Sequence, residues 1–305
     1  MRRVLVTGGA GFVGRPAVAA LIARGFEVHA VGRRPAEGAH AVHAADLLDA
    51  SARRAAVRAA GASHLLHLAW VTEPGRYWQA PENLDWTAAS LDLVRAFREA
   101  GGTRAVVAGT CAEYDWTAAS PLSGGAGRAI DGRFGESAPC RPATLYGAAK
   151  DGLRRVVSAY AASAGLSLAW GRLFYLYGPG EAPGRLVGDA ARALLAGRRF
   201  ATSEGCQRRD FLSVTEAGEA FAALLDSEVE GPVNIGSGGA VPVRAILETL
   251  GRLTGRGDLI DFGARPLPPT EPACIEAEIE RLISEVGFRP RLTLDEGLRA
   301  ALAQP

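Results

Sequence analysis

A chain of 305 residues with a formal net charge of +1 carries no excess charge for attracting nucleic acid or an acidic membrane surface. Hydrophobic residues make up 48% of it, but no apolar run reaches 18 residues, so we expect no membrane-spanning helix. The four cysteines lack CxxC spacing, which argues against a metal site or disulfides and favours a cytoplasmic protein.

The first half of the chain alternates short β-rich runs with helical stretches. Strands are predicted at 3–7, 26–31, 41–44, 64–69, 105–109 and 166–172, and helices at 13–24, 51–59, 85–100 and 144–164. This alternation predicts an α/β fold of the Rossmann type, a doubly wound parallel sheet with helices on both faces. Residues 115–140 are rich in Gly, Pro and Ser and are predicted to form a long loop.

The second half is less regular and is predicted to form a smaller C-terminal lobe. Helices are predicted at 185–196, 215–226, 242–254, 276–286 and 294–303, with a short strand at 232–235. We place the boundary between a Rossmann domain (1–172) and this lobe (173–305) after residue 172, and some later segments return to the first domain.

A glycine-rich turn lies between the first predicted strand and the first predicted helix. It matches both GxGxxG and GxxGxxG, which permit a tight turn and a close approach of the backbone to a pyrophosphate. The alternative is an ordinary glycine-rich turn, but the strand–turn–helix context favours a dinucleotide. The residues expected to bind it here are Gly8, Gly11, Phe12, Val13 and Gly14.

The end of the second strand bears on the choice of cofactor. NAD-binding chains usually place an acid there for the ribose, whereas this chain has Arg33 and Arg34, which suit a 2′-phosphate. We therefore favour NADP(H), with NAD(H) possible, and solvated loop charges are the other interpretation. Asp46, beside Leu47, is expected to contact the adenine, or alternatively to cap a helix.

A single lysine stands among 33 arginines, and it lies four residues after a tyrosine. That spacing places Tyr146 and Lys150 on one face of a helix. An ammonium is a compact point charge, unlike the wide guanidinium fork, and a nearby positive charge lowers the pKa of a phenol. The pair therefore predicts acid–base chemistry at Tyr146.

Several motifs occur together in a characteristic order. They are the glycine turn, 67–69 (HLA), 109–114 (GTCAEY), Tyr146-x-x-x-Lys150, 172–180 (RLFYLYGPG), 209–211 (RDF) and 234–238 (NIGSG). With them the chain resembles the extended short-chain dehydrogenase/reductases, in the branch of nucleotide-sugar epimerases, dehydratases and reductases. The local sequence of residues 109–116 also resembles that of bacterial NDP-4-keto-6-deoxyhexose reductases.

The resemblance implies roles for individual residues. Those implied as catalytic are Thr110, Tyr146 and Lys150, and Leu68 and Ala69 are implied to line the cofactor together with Tyr146 and Lys150. Those implied to bind substrate are Asn83, Thr110, Cys111, Arg209 and Arg265, the two arginines as ligands of a diphosphate. Asn83 also resembles a structural asparagine that the family has near the nicotinamide. His67 is interpreted as a core histidine.

Two features modify what the resemblance implies. Dehydratases of the family carry an Asp-Glu pair after the catalytic threonine, whereas this chain has Cys111 and Ala112, so we discount dehydration. Glu113 comes one position late, and we interpret it as structural. Four aromatic residues provide either an apolar wall for a sugar or base, or core packing, which we favour: Trp70, Tyr77, Trp78 and Trp116.

These observations predict an enzyme that uses NADPH to reduce a keto group, at C4, of a nucleotide-linked deoxysugar. The alternatives are an NAD(P)-dependent NDP-sugar epimerase and, less favoured, a non-catalytic dinucleotide-binding sensor. The expected partners are the NDP-sugar and a second copy of the chain, since two helices, 85–100 and 144–164, carry more apolar residues than one buried face needs. We expect no nucleic acid and no membrane.

Overall fold

The computed structural model describes residues 2–119, 132–268 and 271–304. Its strands, in chain order, are β1 (Arg3–Thr7), β2 (Glu27–Gly32), β3 (Ala41–Ala44), β4 (His64–His67), β5 (Arg104–Thr110), β6 (Arg133–Phe134), β7 (Ser167–Leu173), β8 (Tyr175–Tyr177), β9 (Phe200–Ala201), β10 (Arg208–Ser213), β11 (Gly231–Ile235), β12 (Ala240–Pro242), β13 (Ile260–Asp261) and β14 (Cys274–Ala277). Its α-helices are α1 (Gly14–Ala23), α2 (Ala50–Ala60), α3 (Glu82–Glu99), α4 (Leu145–Ala164), α5 (Leu186–Leu195), α6 (Val214–Asp226), α7 (Val243–Thr254), α8 (Glu280–Ser284) and α9 (Leu294–Ala303).

The large sheet is parallel throughout and has the order β11-β7-β5-β4-β1-β2-β3 among the described residues. The chain builds outward from β1 to β3, then returns to the other side of β1 with β4. This reversal opens a crevice at the carboxyl ends of β1 and β4, where doubly wound sheets bind ligands. The predicted Rossmann-type α/β fold is confirmed.

Two helical layers cover this sheet, one on each face, because successive side chains of its strands point to opposite faces and are buried on both. Val4 and Val6 point into the layer formed by α1 and α6, whereas Leu5 points into the layer of α2, α3 and α4. All three side chains are fully buried. Burying each of them contributes about 1.5–3 kcal/mol, so both layers are needed to stabilise one strand.

The smaller lobe is built on a second sheet, in which β10 pairs with β8, β12 and β14, and β14 also pairs with β6. Helices α5, α7 and α9 pack together through Leu194, Leu250 and Leu298. The helix predicted over 276–286 was wrong at its start. Residues Cys274–Ala277 form β14 because pairing on both sides outweighs local helix propensity, and only Glu280–Ser284 is helical.

Two segments after residue 172 lie on the large sheet. Strand β11 pairs with β7 at its edge, and α6 packs against α1 over its face. The two-domain division at residue 172 stays a prediction. Of the loop predicted over 115–140, residues 120–131 lie outside the described ranges.

The surfaces of α3 and α4 bear on the predicted homodimer. Leu153 and Val157 are buried against the large sheet, whereas Leu84 and Val156 are 60% and 54% exposed. The dimer stays a prediction. In the part of the chain that the structure describes, every helix is too short or too polar to cross a bilayer.

Candidate active site

A cavity of about 860 Å³ opens at the carboxyl ends of β1, β4 and β5 and extends toward the smaller lobe. The glycine turn borders it on one side, and the first turns of α4 border it on another. Residues of the smaller lobe, including Arg209 and Phe211, complete it. It is large enough for a dinucleotide and part of a second ligand.

The glycine turn fits a dinucleotide because its backbone is packed too closely for side chains. Gly8 has φ +72°, and a Cβ there would lie 2.9 Å from the amide nitrogen of Ala69. A Cβ on Gly14 would lie 2.0 Å from the carbonyl oxygen of Gly8. All seven residues from 8 to 14 line the cavity, and α1 begins at its edge with Gly14, so the positive end of the helix dipole lies beside it.

A buried hydrogen-bond chain ties β1 to β4 beneath this turn. The hydroxyl of Thr7 accepts hydrogen bonds from the backbone N–H groups of Leu68 and Ala69, each at 3.1 Å. His67 contacts the same hydroxyl at 2.6 Å and Ser90 at 2.8 Å, and burial lowers its pKa to about 3. The structural role predicted for His67 is therefore confirmed. Leu68 and Ala69 line the cavity, as the resemblance implied.

The residues expected to choose the cofactor lie where the cavity meets the ends of β2 and β3. Arg33 and Arg34 are exposed and line the cavity. Asp46 is exposed in the same wall, and its carboxylate accepts a hydrogen bond of 3.0 Å from the N–H of Leu48. Leu47 is buried there. The helix-cap interpretation of Asp46 is wrong, because Asp49 caps α2 by accepting hydrogen bonds from the N–H groups of Ser51 and Ala52. The contact of Asp46 with the adenine stays a prediction.

Tyr146 and Thr110 meet in the cavity wall. Thr144 caps α4 by accepting a hydrogen bond from the N–H of Gly147 at 3.1 Å, and the N–H of Tyr146 donates to the carbonyl of Trp78 at 3.0 Å. Thr110 ends β5, and its hydroxyl oxygen accepts from the N–H of Ala112 at 3.2 Å. Both side chains line the cavity, and the Thr110 hydroxyl acts on the Tyr146 phenol from close by.

Lys150 lies deeper, one helical turn further along α4, and is 3% exposed. Its ammonium donates a hydrogen bond of 2.8 Å to the carbonyl of Ala108 and lies 3.7 Å from the centre of the Trp70 ring. Burial lowers the pKa of Lys150 to about 7, against the opposing influence of the Glu113 carboxylate. The ammonium is therefore close to its titration point at neutral pH.

The electrostatics correct one expectation. The sequence predicted that Lys150 lowers the pKa of the Tyr146 phenol, but burial raises that pKa well above its ordinary value, and the neighbouring Tyr77 raises it further. The nearby Thr110 hydroxyl opposes the rise. Removing the phenolate from water outweighs these polar contacts, so Tyr146 is a protonated acid at neutral pH.

A buried ion pair supports Thr110 from behind, as the structural interpretation of Glu113 predicted. The Glu113 carboxylate is fully buried and accepts hydrogen bonds from the Thr110 N–H (2.9 Å), Trp170 Nε1 (2.9 Å) and Arg172 Nε (2.7 Å). Arg172 is 1% exposed and also donates to the Tyr114 hydroxyl at 2.9 Å. Glu113 thus fixes the end of β5 and takes no direct part in the cavity.

The two predicted diphosphate ligands have different positions. Arg209 is 2% exposed and lines the cavity, where it forms an ion pair with Glu271 and lies 5.6 Å from the Tyr175 ring. Arg265 is exposed, its backbone N–H bonds to the carbonyl of Thr202, and it does not line the cavity. The role predicted for Arg265 stays a prediction, since its backbone is held next to β9 and the residue does not line the cavity in this structure.

Asn83 lies in a structural position, as its likeness to a structural asparagine of the family implied, and its assignment to substrate binding stays a prediction. It is fully buried, and its amide donates to the carbonyls of Tyr77 and Ala80, both at 2.8 Å, while its oxygen accepts from Trp70 Nε1 at 2.8 Å. These three bonds use both ends of the amide, so none is directed to a substrate. Cys111 does line the cavity, and burial raises the pKa of its thiol to about 12, which keeps it neutral.

All four aromatic residues noted in the sequence line the cavity, so packing alone does not describe them. The rings of Tyr77 and Trp78 stack 4.5 Å apart and meet the Tyr146 ring edge-on at 5.0 Å and 5.8 Å. Trp116 meets Trp78 at 6.2 Å. This set forms a wall around the phenol that is suited to an apolar part of a ligand.

Two acidic residues of the cavity had no signal in the sequence. Glu181 is 6% exposed, accepts a hydrogen bond of 2.8 Å from the N–H of Gly188, and has its pKa raised to about 7 by burial. Glu271 is the partner of Arg209. Both follow Gly- and Pro-rich segments, where sequence patterns do not indicate the direction of a side chain.

The sequence model of the "NAD dependent epimerase/dehydratase family" matches residues 4–236. The chain belongs to this family. The family resemblance seen in the motifs is thereby confirmed, and with it a place among NAD-dependent, oxidoreductase-type enzymes of nucleotide sugars.

Relatives of this family member align over nearly its whole length. A dTDP-6-deoxy-L-talose 4-dehydrogenase (NAD(P)(+)) of Kitasatospora kifunensis is 31% identical, covering 97% of this chain and 93% of its own. A UDP-glucose 4-epimerase of Corynebacterium glutamicum is 26% identical, covering 95% and 92%. Among solved structures, MoeE5 in complex with UDP-glucose and NAD is 30% identical with a TM-score of 0.84, covering 99% and 97%. The UDP-glucose 4-epimerase of Thermus thermophilus in complex with NAD is 28% identical with a TM-score of 0.83, covering 99% and 98%.

Proposed function

We propose that this protein reduces a ketone, at C4, of a nucleotide-linked deoxysugar with NADPH. The observation that carries the proposal is the placement of Thr110, Tyr146 and Lys150 together in the wall of the cavity that the glycine turn borders. A proton donor and a hydrogen-bond donor thus stand together beside the expected dinucleotide site. Ketone reduction needs this combination.

The chain's own residues supply the proton and stabilise charge. A bound reduced nicotinamide supplies the hydride to the carbonyl carbon. Tyr146 gives its phenolic proton to the carbonyl oxygen, which becomes the alcohol, and the phenol recovers a proton from solvent. Its raised pKa suits this direction, since the proton is present at neutral pH. Thr110 donates a hydrogen bond as negative charge develops, and Lys150 places an ammonium on the same side.

The choice of NADPH is supported by Arg33 and Arg34, which line the cavity where a 2′-phosphate would lie. The nucleotide-linked substrate is supported by Arg209, a buried guanidinium in the opposite part of the cavity. The deoxysugar is supported by the aromatic wall and by the NAD(P)(+) 4-dehydrogenase of Kitasatospora kifunensis, named for a dTDP-6-deoxysugar.

A second candidate is an NAD(P)-dependent 4-epimerase of a UDP-sugar. It is favoured by the relatives named UDP-glucose 4-epimerase and by their complexes with NAD. The same three residues would serve, because an epimerase oxidises C4 and then reduces it from the other face. The difference lies in the cofactor, which an epimerase regenerates in each cycle.

One experiment separates these functions. The protein is mixed with NADPH and an NDP-4-keto-6-deoxyhexose, and in parallel with NAD⁺ and UDP-glucose. A reductase consumes NADPH in equal amount to the sugar, with Tyr146→Phe as the inactive control. An epimerase yields UDP-galactose in the second mixture with no net change of cofactor. Tight cofactor binding without turnover in either mixture would refute both enzymatic functions and favour a non-catalytic dinucleotide-binding sensor.

A further inference from the structure

The ammonium of Lys150 has an unusual setting for a buried charge. It is the only lysine of the chain, and it is 3% exposed. One of its three N–H groups donates to the Ala108 carbonyl at 2.8 Å. The face of the Trp70 ring lies on it, with the ring centre 3.7 Å from Nζ. A cation within about 6 Å of an indole centre is attracted by the negative face of the ring.

The indole is itself held in place. Its Nε1 donates to the Asn83 oxygen at 2.8 Å, and the Trp86 ring lies 6.1 Å away. Asn83 is fixed in turn by two hydrogen bonds of 2.8 Å to backbone carbonyls, one of them from Tyr77. The Tyr77 ring packs edge-on against Tyr146. The orientation of the indole is therefore coupled to the wall around the phenol.

We propose that Trp70 is a positioning residue that holds the ammonium of Lys150 against the end of β5, and that Asn83 sets the orientation of the indole. Two other titratable groups lie near this ammonium. Glu113 favours its charged form from behind β5, although its carboxylate is itself paired with Arg172. His67, on β4, is neutral and adds no opposing charge at neutral pH.

The physical need for the ring follows from burial. Burial lowers the pKa of Lys150 to about 7, so small changes in its surroundings decide how much ammonium is present at neutral pH. The ring face stabilises the charged form without competing for the N–H groups that the carbonyl and a ligand use. A carboxylate in the same place would stabilise the charge more strongly, but it would also repel a phosphate-bearing cofactor.

The single lysine makes a direct test possible. Lysine labelled with ¹³C at Cε gives one resonance, which reports Lys150 in the full-length protein. We expect its Hε protons to be shifted upfield by the ring, and Trp70→Leu to abolish this shift and lower the pKa of Lys150 by about one unit. Trp70→Phe keeps a ring and retains most of both effects. Trp116→Leu removes another cavity indole and leaves the resonance unchanged.

The outcomes are decisive without any substrate. Unshifted Hε protons in the parent protein overturn the proposal, whether or not a variant folds. So does a Trp70→Leu protein in which the shift persists, or in which the pKa of Lys150 is unchanged or raised. The kinetic arm rests on the proposed function: Trp70→Leu lowers kcat and moves the alkaline limb of its pH profile about one unit lower, with little change in KM. Absence of turnover in the parent would count against the proposed function alone.

Discussion

Replacing Glu113 by glutamine tests the buried pair behind the site. The carboxylate accepts hydrogen bonds from the Thr110 N–H and Trp170 Nε1 on one oxygen, and from Arg172 Nε on the other. A glutamine amide has one oxygen and one NH₂ group. Whichever way it turns, the NH₂ group faces a donor, and the 1% exposed Arg172 loses its anionic partner.

The expected loss of stability follows from this geometry. Breaking a buried ion pair by neutralising one partner costs about 3–5 kcal/mol. Arg172 keeps its hydrogen bonds to the Tyr114 hydroxyl and the Glu136 carbonyl, which places the loss near the lower end. For 305 residues the entropy of unfolding is roughly 0.64 kcal/mol per kelvin, so the midpoint of thermal unfolding falls by about 5–8 °C.

The assay is a thermal melt followed by circular dichroism. Glu99→Gln is the matched control, because the Glu99 side chain is 65% exposed and its ion pair with Arg95 is long, at 3.9 Å. Its midpoint should stay within about 1 °C of the parent, as surface pairs contribute little. A Glu113→Gln protein that melts with the control would refute the reasoning. Adding Arg172→Met to it should recover part of the loss, since no buried charge is then left unpaired.

Four further outcomes are expected. Lys150→Arg keeps the charge, but the wider guanidinium does not fit between the β5 carbonyl and the indole. Turnover should therefore fall at least ~100-fold, and retention of most turnover would contradict this. Gly14→Ala places a Cβ 2.0 Å from a carbonyl oxygen, and titration by NADPH fluorescence should detect no tight binding; normal affinity would argue against the assigned turn. Changing both Arg33 and Arg34 to serine should raise the Kd for NADPH at least ~10-fold and leave that for NADH within about 2-fold, and equal losses would exclude a 2′-phosphate contact. Because the pKa of Lys150 is about 7, its ammonium is present below that pH and is lost above it, so the rate of reduction should fall as pH rises through 7; a rate that is constant from about pH 6 to 9 would disprove its involvement.

Local signals predicted most of the fold. Helix α4 could be placed because Thr144 caps its start and Gly165, in the left-handed conformation, ends it. The strands of the large sheet could be placed because they are short, buried and rich in β-branched residues. Strand β14 was missed because its stability comes from β10 and β6, which are distant in the sequence.

The candidate site was predictable where chemistry permits few residue types. Only glycine fits the turn at Gly8 and Gly14. The single lysine in a chain that otherwise uses arginine indicates a site that needs an ammonium group. The positions of Asn83, Arg265 and the tryptophans depend on which way each side chain points, and neither composition nor spacing encodes that. The pKa of Tyr146 was mispredicted for a related reason, since burial, which decides it, is a tertiary property.

The position of β11 has a consequence for synthesis on the ribosome. Residues Gly231–Ile235 form the outer edge of the large sheet, and Asn234 there accepts a hydrogen bond from Tyr114 and donates to the carbonyls of Phe134 and Glu278. A nascent chain that has emerged only to β7 still presents an open strand edge, with the Tyr114 hydroxyl lacking its acceptor. The large sheet is therefore completed only after some sixty more residues, from β7 to β11, have been synthesised. During that interval the exposed edge of β7 is a surface to which a chaperone can bind.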